Sequence, residues 1–255
     1  MKILAIETST SCQSVAIVDG SQILTNYSQD AGKAHGTLLL PTIDRSLSEA
    51  GLKLGNLDGL ACSIGPGSFT GIRVGIATCL GLRAATNLPI ALVPTLEALA
   101  WNARGMTCPI CPVLTNRRGE VYWAIFRWTT DGQFVRVLAE RVGTPQALAD
   151  SLTEPTVIFG EGWVAMKQEI RSALATSMLA GGELESLTEP TAAGVASLGL
   201  ERLQRGDIAG NTIAPLYVQR SEAELNYEQG GGVSPVVRRQ ERVSRKIAAR
   251  LDRGR

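Results

Sequence analysis

Between residues 63 and 77 the chain reads SIGPGSFTGIRVGIA, a short apolar stretch that runs into Gly65, Gly67 and Gly71 and then into a helical pattern. A strand joined to a helix by a glycine turn is most of a strand-helix-strand unit, and the apolar run IALV at 90–93 supplies the second strand. Helices lying on a partly parallel sheet are the architecture this stretch requires. The loop lacks the Lys-Ser/Thr pair of a P-loop, and its glycines are spaced G-x-G-x-x-x-G, which fits no dinucleotide fingerprint. Its N–H groups at a helix N-terminus can still cradle an anion, helped by Ser68, Thr70 and Arg73. Alternatively, the glycines serve only a tight turn and close packing. Spacing leaves both readings open.

The rest of the chain extends this plan. KILAIE (2–7), QSVAIVDG (13–20) and SQILTNYS (21–28) read as a strand meander with a hairpin turn at Asp19-Gly20. Leu39, Ile43, Leu47 and Ala50 recur at helical spacing before Gly51, so a helix is expected over 35–50, with Pro41 near its first turn or kinking it. A second helix is expected over 71–86, and a third from Thr95, as N-cap, to Ala103. A β-rich piece (111–140), a helix near 144–152, a strand at 156–160, a helical pattern to 179, a helix over 191–205 and a last strand at 213–218 follow. The order meander, helix, strand and glycine recurs in weaker form. An internal duplication of this kind is the plan of an α/β, actin-like ATPase (ASKHA, RNase H-like) fold with two related lobes around a nucleotide cleft. The expected lobes are 1–105 and 106–225, with a basic tail at 226–255.

Composition narrows the chemistry. With 255 residues, 44% hydrophobic and 19% charged, the chain can bury a two-lobed core. Its start holds no apolar run long enough for a secretory signal, and Arg73, Arg83 and Asn87 interrupt the most apolar stretch, 71–93. A cytoplasmic protein with no membrane span is expected. Five scattered cysteines suit a reducing compartment; Cys108 and Cys111 form a lone C-x-x-C with no second pair to complete a zinc site. The sole histidine, His35, excludes a two-histidine metal motif, and no G-x-S-x-G elbow is present for a serine hydrolase. No metal and no cofactor are expected.

Glu7, Thr8 and Ser9 follow the first strand, where an actin-like protein places an acid and hydroxyls near phosphates and magnesium; they are the candidates for a vestigial nucleotide or ion site. The bland alternative is a solvated strand end. Residues 231–255 carry a net charge of +6, which leaves the first 230 residues at −5 against the chain's total of +1. Such a tail either attracts nucleic-acid phosphates or stays solvated. In the second helix Gly71, Gly75, Thr78 and Gly81 are small, and each interior glycine costs about 0.5–1 kcal/mol relative to alanine, so another backbone is expected to come close. Ile72, Ile76 and Leu80 line up at four-residue spacing, and Leu38, Leu39 and Leu40 put apolar groups on more than one face of the first helix. Two such helices form either a partner interface or buried core.

MKILAIETST, HGTLLLPTID, GPGSFTGIRVGIA, RRGEVYWAIF and APLYVQR, in this order, resemble the bacterial TsaB (YeaZ) family over about residues 1–225. The resemblance implies a non-catalytic, actin-like paralogue of TsaD that supports formation of N6-threonylcarbamoyladenosine at position 37 of tRNAs reading ANN codons. It implies TsaD as heterodimer partner and catalyst, TsaE as an associated ATPase, and homodimers when TsaD is absent. The family's pairing surface is built from the first two helices, here 35–50 and 71–86. That assigns His35, Leu38, Leu39, Ile43, Leu47, Ile72, Arg73, Ile76, Leu80 and Arg83 to the interface, and makes the loop Gly65, Gly67, Ser68, Thr70 and Gly71 a support for it. tRNA is reached through the complex, with the basic tail as a candidate aid. Thr115-Asn116 departs from the family's common Asp-Ala, and the tail runs beyond the usual end. The rival expectations are a nucleotide-binding actin-like ATPase or kinase, and a peptidase acting on a partner protein.

Overall fold

The computed structural model describes residues 1–32, 34–180, 184 and 186–218. The basic tail at 226–255 lies outside them. β1 (Lys2–Glu7), β2 (Cys12–Asp19) and β3 (Gln22–Asp30) form the expected antiparallel meander, and Gly20 takes the positive φ of 57° that its tight turn requires. α1 (His35–Glu49) leads to β4 (Gly59–Ser63), which pairs parallel to β1. α2 (Phe69–Thr86) then crosses to β5 (Ile90–Val93), parallel to β4, giving the order β3-β2-β1-β4-β5.

After α3 (Thr95–Trp101), the chain builds a second sheet from β6 (Ile110–Thr115), β7 (Val121–Trp128), β8 (Phe134–Gly143) and, beyond α4 (Pro145–Asp150), β9 (Val157–Phe159). Its order, β8-β7-β6-β9, repeats the first four positions of the first sheet, with antiparallel pairs and then a parallel one. The duplication read from the sequence is therefore a duplication of topology. α5 (Glu161–Ala165), α6 (Lys167–Ala173) and α7 (Ala192–Gln204) complete the regular elements.

Strand alternation sets the packing. On β1, Ile3 and Ala5 face one side and Leu4 and Ile6 the other. The first side is small (Ala5, Ala16, Ala61, Ala91) and receives α7, whose Gly199 lies so near that an added Cβ would be 2.4 Å from the Ala61 Cβ. The second side is large and receives α1 and α2 through Leu39, Ile43, Ile72 and Ile76. α7 thus lies on the first sheet although it follows the second in sequence. Glu97 of α3 joins the sheets: it accepts from Arg136 Nη2 of β8 at 2.6 Å and from Arg202 Nη2 of α7 at 2.8 Å.

Four expectations need correction. Pro94, not Thr95, is the N-cap residue of α3, and Thr95 is its first helical residue. α2 begins two residues early because the Ser68 Oγ accepts from the Gly71 amide and caps it. The helical pattern to 179 is two short helices and a 3-10 turn. No strand forms over 213–218; that segment is held by single hydrogen bonds described below. No described helix is long and apolar enough to cross a membrane.

Candidate functional site

Between the sheets lies a cleft of about 290 Å³. One wall is the β1–β2 turn (Ser9, Thr10, Ser11) with Gly67 and Ser68 of the glycine loop. The other is the end of β6 (Leu114, Thr115) with Glu161 and Glu189. Of the expected vestigial residues, only Ser9 reaches the cleft. Glu7 and Thr8 lie beneath it, fully buried, which corrects the alternative of a solvated strand end. Glu7 Oε1 accepts from both the Ser9 amide and the Ser9 Oγ at 2.5 Å, while Oε2 is buried without a partner. Burial pushes the Glu7 carboxyl above its usual range, against the pull of the Ser9 hydrogen bonds.

The glycine loop is pinned from inside. The Ser68 amide donates to the Ser9 carbonyl at 2.6 Å, and the Gly71 amide donates to the Ser68 Oγ at 3.2 Å. A Cβ on Gly67 would lie 2.2 Å from the Ser9 carbonyl oxygen; one on Gly75 would lie 2.5 Å from the Thr8 Oγ1. The close backbone expected from the small residues of α2 is therefore the chain's own β1–β2 turn. Gly81 is the exception: nothing stands within 4 Å of its missing Cβ.

The acidic wall was not read from the sequence. Thr115 ends β6 as Glu7 ends β1, and its amide and Oγ1 donate to Glu161 Oε1 at 2.6 and 2.7 Å. Burial raises the Glu189 carboxyl, partly offset by a hydrogen bond from Thr10; the charges of Glu161 and Asp30 push it further up. The duplication was the available signal, because equivalent strand ends fall on one cleft. None of the residues lining it is Lys or Arg. Among the described residues no group of three or more His, Cys, Asp or Glu side chains is placed to share a metal ion.

The two helices divide differently from the expected pairing surface. His35, Leu39, Ile43, Ile72 and Ile76 are buried in the chain's own core, 5% exposed or less, so they support the outer surface from below and are not part of it. Leu38, Leu47 and Leu80 are half-buried, Leu40 is 57% exposed, and Arg73, Ala77 and Gly81 face outward on α2. Arg83 is taken up internally, donating to the carbonyls of Ala209, Gly210 and Asn211 at 2.8–3.2 Å.

A cleft between two sheets of repeated strand order, walled by a glycine loop and by the end of the second sheet's first strand, gives the chain an actin-like α/β fold. A family model described as "TsaD: tRNA N6-adenosine threonylcarbamoyltransferase" matches residues 22–227. The tRNA threonylcarbamoyladenosine biosynthesis protein TsaB of Bacillus subtilis is 29% identical over 235 residues, covering 89% of this chain and 98% of that protein. The protein of the same name from Escherichia coli is 32% identical over 171 residues, 65% of this chain and 73% of that one. A crystal structure of a Pseudomonas aeruginosa protein, described as similar to peptidase YeaZ, superposes with a TM-score of 0.74 at 26% identity, covering 86% of this chain and 99% of that one. The chain belongs to the TsaB (YeaZ) family, within the wider group that the TsaD family model describes.

Proposed function

We propose that this chain is a subunit without catalytic chemistry of its own, pairing with a TsaD-type transferase and joined by TsaE in making N6-threonylcarbamoyladenosine at position 37 of tRNAs reading ANN codons. The observation that carries this reading is the state of the cleft. The Ser68 amide, which a phosphate at the loop would need, is bound to the Ser9 carbonyl, and the facing wall presents the carboxylates of Glu161 and Glu189. Phosphoryl transfer rests almost wholly on positioning and on stabilising negative charge, and with the Ser68 amide taken and no Lys or Arg in the lining, neither the loop nor a basic side chain is there to meet that charge.

What the cleft lacks in chemistry, α1 and α2 supply as surface. Leu40 on α1 and Arg73, Ala77 and Gly81 on α2 are exposed above the buried core, and the small residues at 77 and 81 suit close approach of a partner helix. In this reading the same face joins two copies of the chain when the TsaD-type subunit is absent, and tRNA is met through the complex, aided by the tail at 226–255.

Calorimetric titration tests the reading. The purified chain should give no heat with millimolar Mg-ATP and should bind a TsaD-type subunit at micromolar concentration. Saturable nucleotide binding with turnover by the isolated chain would favour an actin-like ATPase instead.

A further inference from the structure

The segment 207–218 has no helix or strand, yet it is tied down along α2. The Ala209 amide donates to the Ile90 carbonyl and the Leu216 amide to the Ile64 carbonyl, both at 2.7 Å, while Arg83 holds three carbonyls between them. Ala209 and Ile213 pack against the core under α1 and α2. A strap anchored at two strand ends and by a buried edge is part of the body, not a displaceable cover.

At its end the strap builds a three-layered stack on the surface. Arg73 Nε and Nη2 donate to the Tyr217 Oη at 3.1 and 2.9 Å, and the guanidinium lies 3.6 Å over the Phe69 ring. The Phe69 and Tyr217 rings stack at 6.1 Å with an interplanar angle of 27°. Phe69 remains 45% exposed and Tyr217 49%, and among the described residues no carboxylate pairs with Arg73. Arg73 is thus positioned by Tyr217 and Phe69, with no hydrogen bond from Nη1 to the described residues. Aromatic rings with a fixed arginine are the composition that dominates binding energy at protein interfaces, and a side chain already ordered loses less freedom on docking.

Resting on the pairing reading above, we propose that this Phe69–Arg73–Tyr217 stack is the anchor by which the chain seats on its partner protein. The partner's matching site offers a carboxylate to Arg73, flanked by apolar side chains that cover Phe69 and Tyr217. Charge complementarity selects that occupant: covering the rings removes water from the guanidinium, which strengthens a carboxylate bond to it.

Titration of a TsaD-type subunit with the full chain and its variants tests this. Arg73→Ala and Tyr217→Ala should each raise Kd by about 10–100-fold, with the double variant far less than the product of the two because both dismantle one stack. Arg73→Lys should not restore binding, since an ammonium cannot lie flat on the Phe69 ring and hold the Tyr217 hydroxyl while it meets a carboxylate. Tyr217→Phe keeps the ring and frees Arg73, giving an intermediate loss, and thermal unfolding checks that each variant folds. If the unaltered chain fails to bind, the pairing reading fails. If it binds and all the variants bind equally well, this proposal alone is overturned; a loss confined to tRNA affinity would overturn it in favour of a nucleic-acid contact.

Discussion

Thr8 and Gly71 lock the first strand's end to the start of α2: the Thr8 hydroxyl donates to the Gly71 carbonyl at 2.8 Å, and a Cβ on Gly71 would lie 2.0 Å from the Thr8 carbonyl oxygen. The loop that resembles a phosphate cradle is closed on the chain's own backbone. Gly71→Ala should therefore destabilise the chain by about 2–4 kcal/mol, seen as a drop of several degrees in Tm. Gly81→Ala, which meets nothing within 4 Å, should stabilise it by about 0.5–1 kcal/mol through helix propensity alone. Thermal and urea unfolding of the two variants side by side checks the contrast.

Glu7 gives a pH dependence with a definite sign. Its folded-state carboxyl is raised from the ordinary value of 4.5, so between that value and the raised one the native state holds a proton that the unfolded chain has released. Stability attributable to Glu7 falls as pH rises through this window and stays lowered above it. Glu7→Gln keeps an oxygen to accept from Ser9 and removes the buried charge. Urea midpoints should flatten across that window and match or exceed those of the unaltered chain at pH 8.

The helix surfaces call for different probes. Ile76, 5% exposed among core side chains, should not tolerate arginine, and Ile76→Arg should abolish cooperative unfolding. Leu40, 57% exposed, should accept arginine within about 0.5 kcal/mol of stability while weakening association with a TsaD-type subunit at least tenfold. Circular dichroism and calorimetry separate the two outcomes.

Glu97 bridges β8 and α7 through Arg136 and Arg202. Glu97→Gln keeps one acceptor oxygen, sets an amide donor against the other arginine and removes the charge, and should cost about 1–3 kcal/mol, less than a fully buried pair because the Arg136 side chain is 37% exposed. Chemical denaturation measures the loss, and high salt should narrow it.

Local chemistry made the frame legible. The Asp19-Gly20 turn, the Leu39–Ile43 spacing and the strand-to-helix turn at Gly65 each carry a physical requirement within a few residues, and each forms as read. The orientation of those elements was less legible. The spacing of Ile72 and Ile76 marks one face of a helix but not whether that face meets its own sheet or another chain; the sheet took it because Leu60 and Ile90 present large side chains there. Glu7 reads as a solvated strand end until β2 and α2 close over it. The strap was least legible, because Arg83 meets its carbonyls across 126–128 residues and the segment has no periodic pattern of its own.

The most direct test of a silent cleft behind an essential surface is a drop-out reconstitution. TsaD-type transferase, TsaE, the adenylate-forming enzyme, ATP, threonine, bicarbonate and tRNA are combined with the chain, without it, and with a Glu189→Gln variant altered in the cleft wall. Threonylcarbamoylated tRNA should form with the chain, fail without it, and form unimpaired with Glu189→Gln. Equal product in its absence would contradict the partner role, and loss of product with a well-folded Glu189→Gln chain would contradict the silence of the cleft.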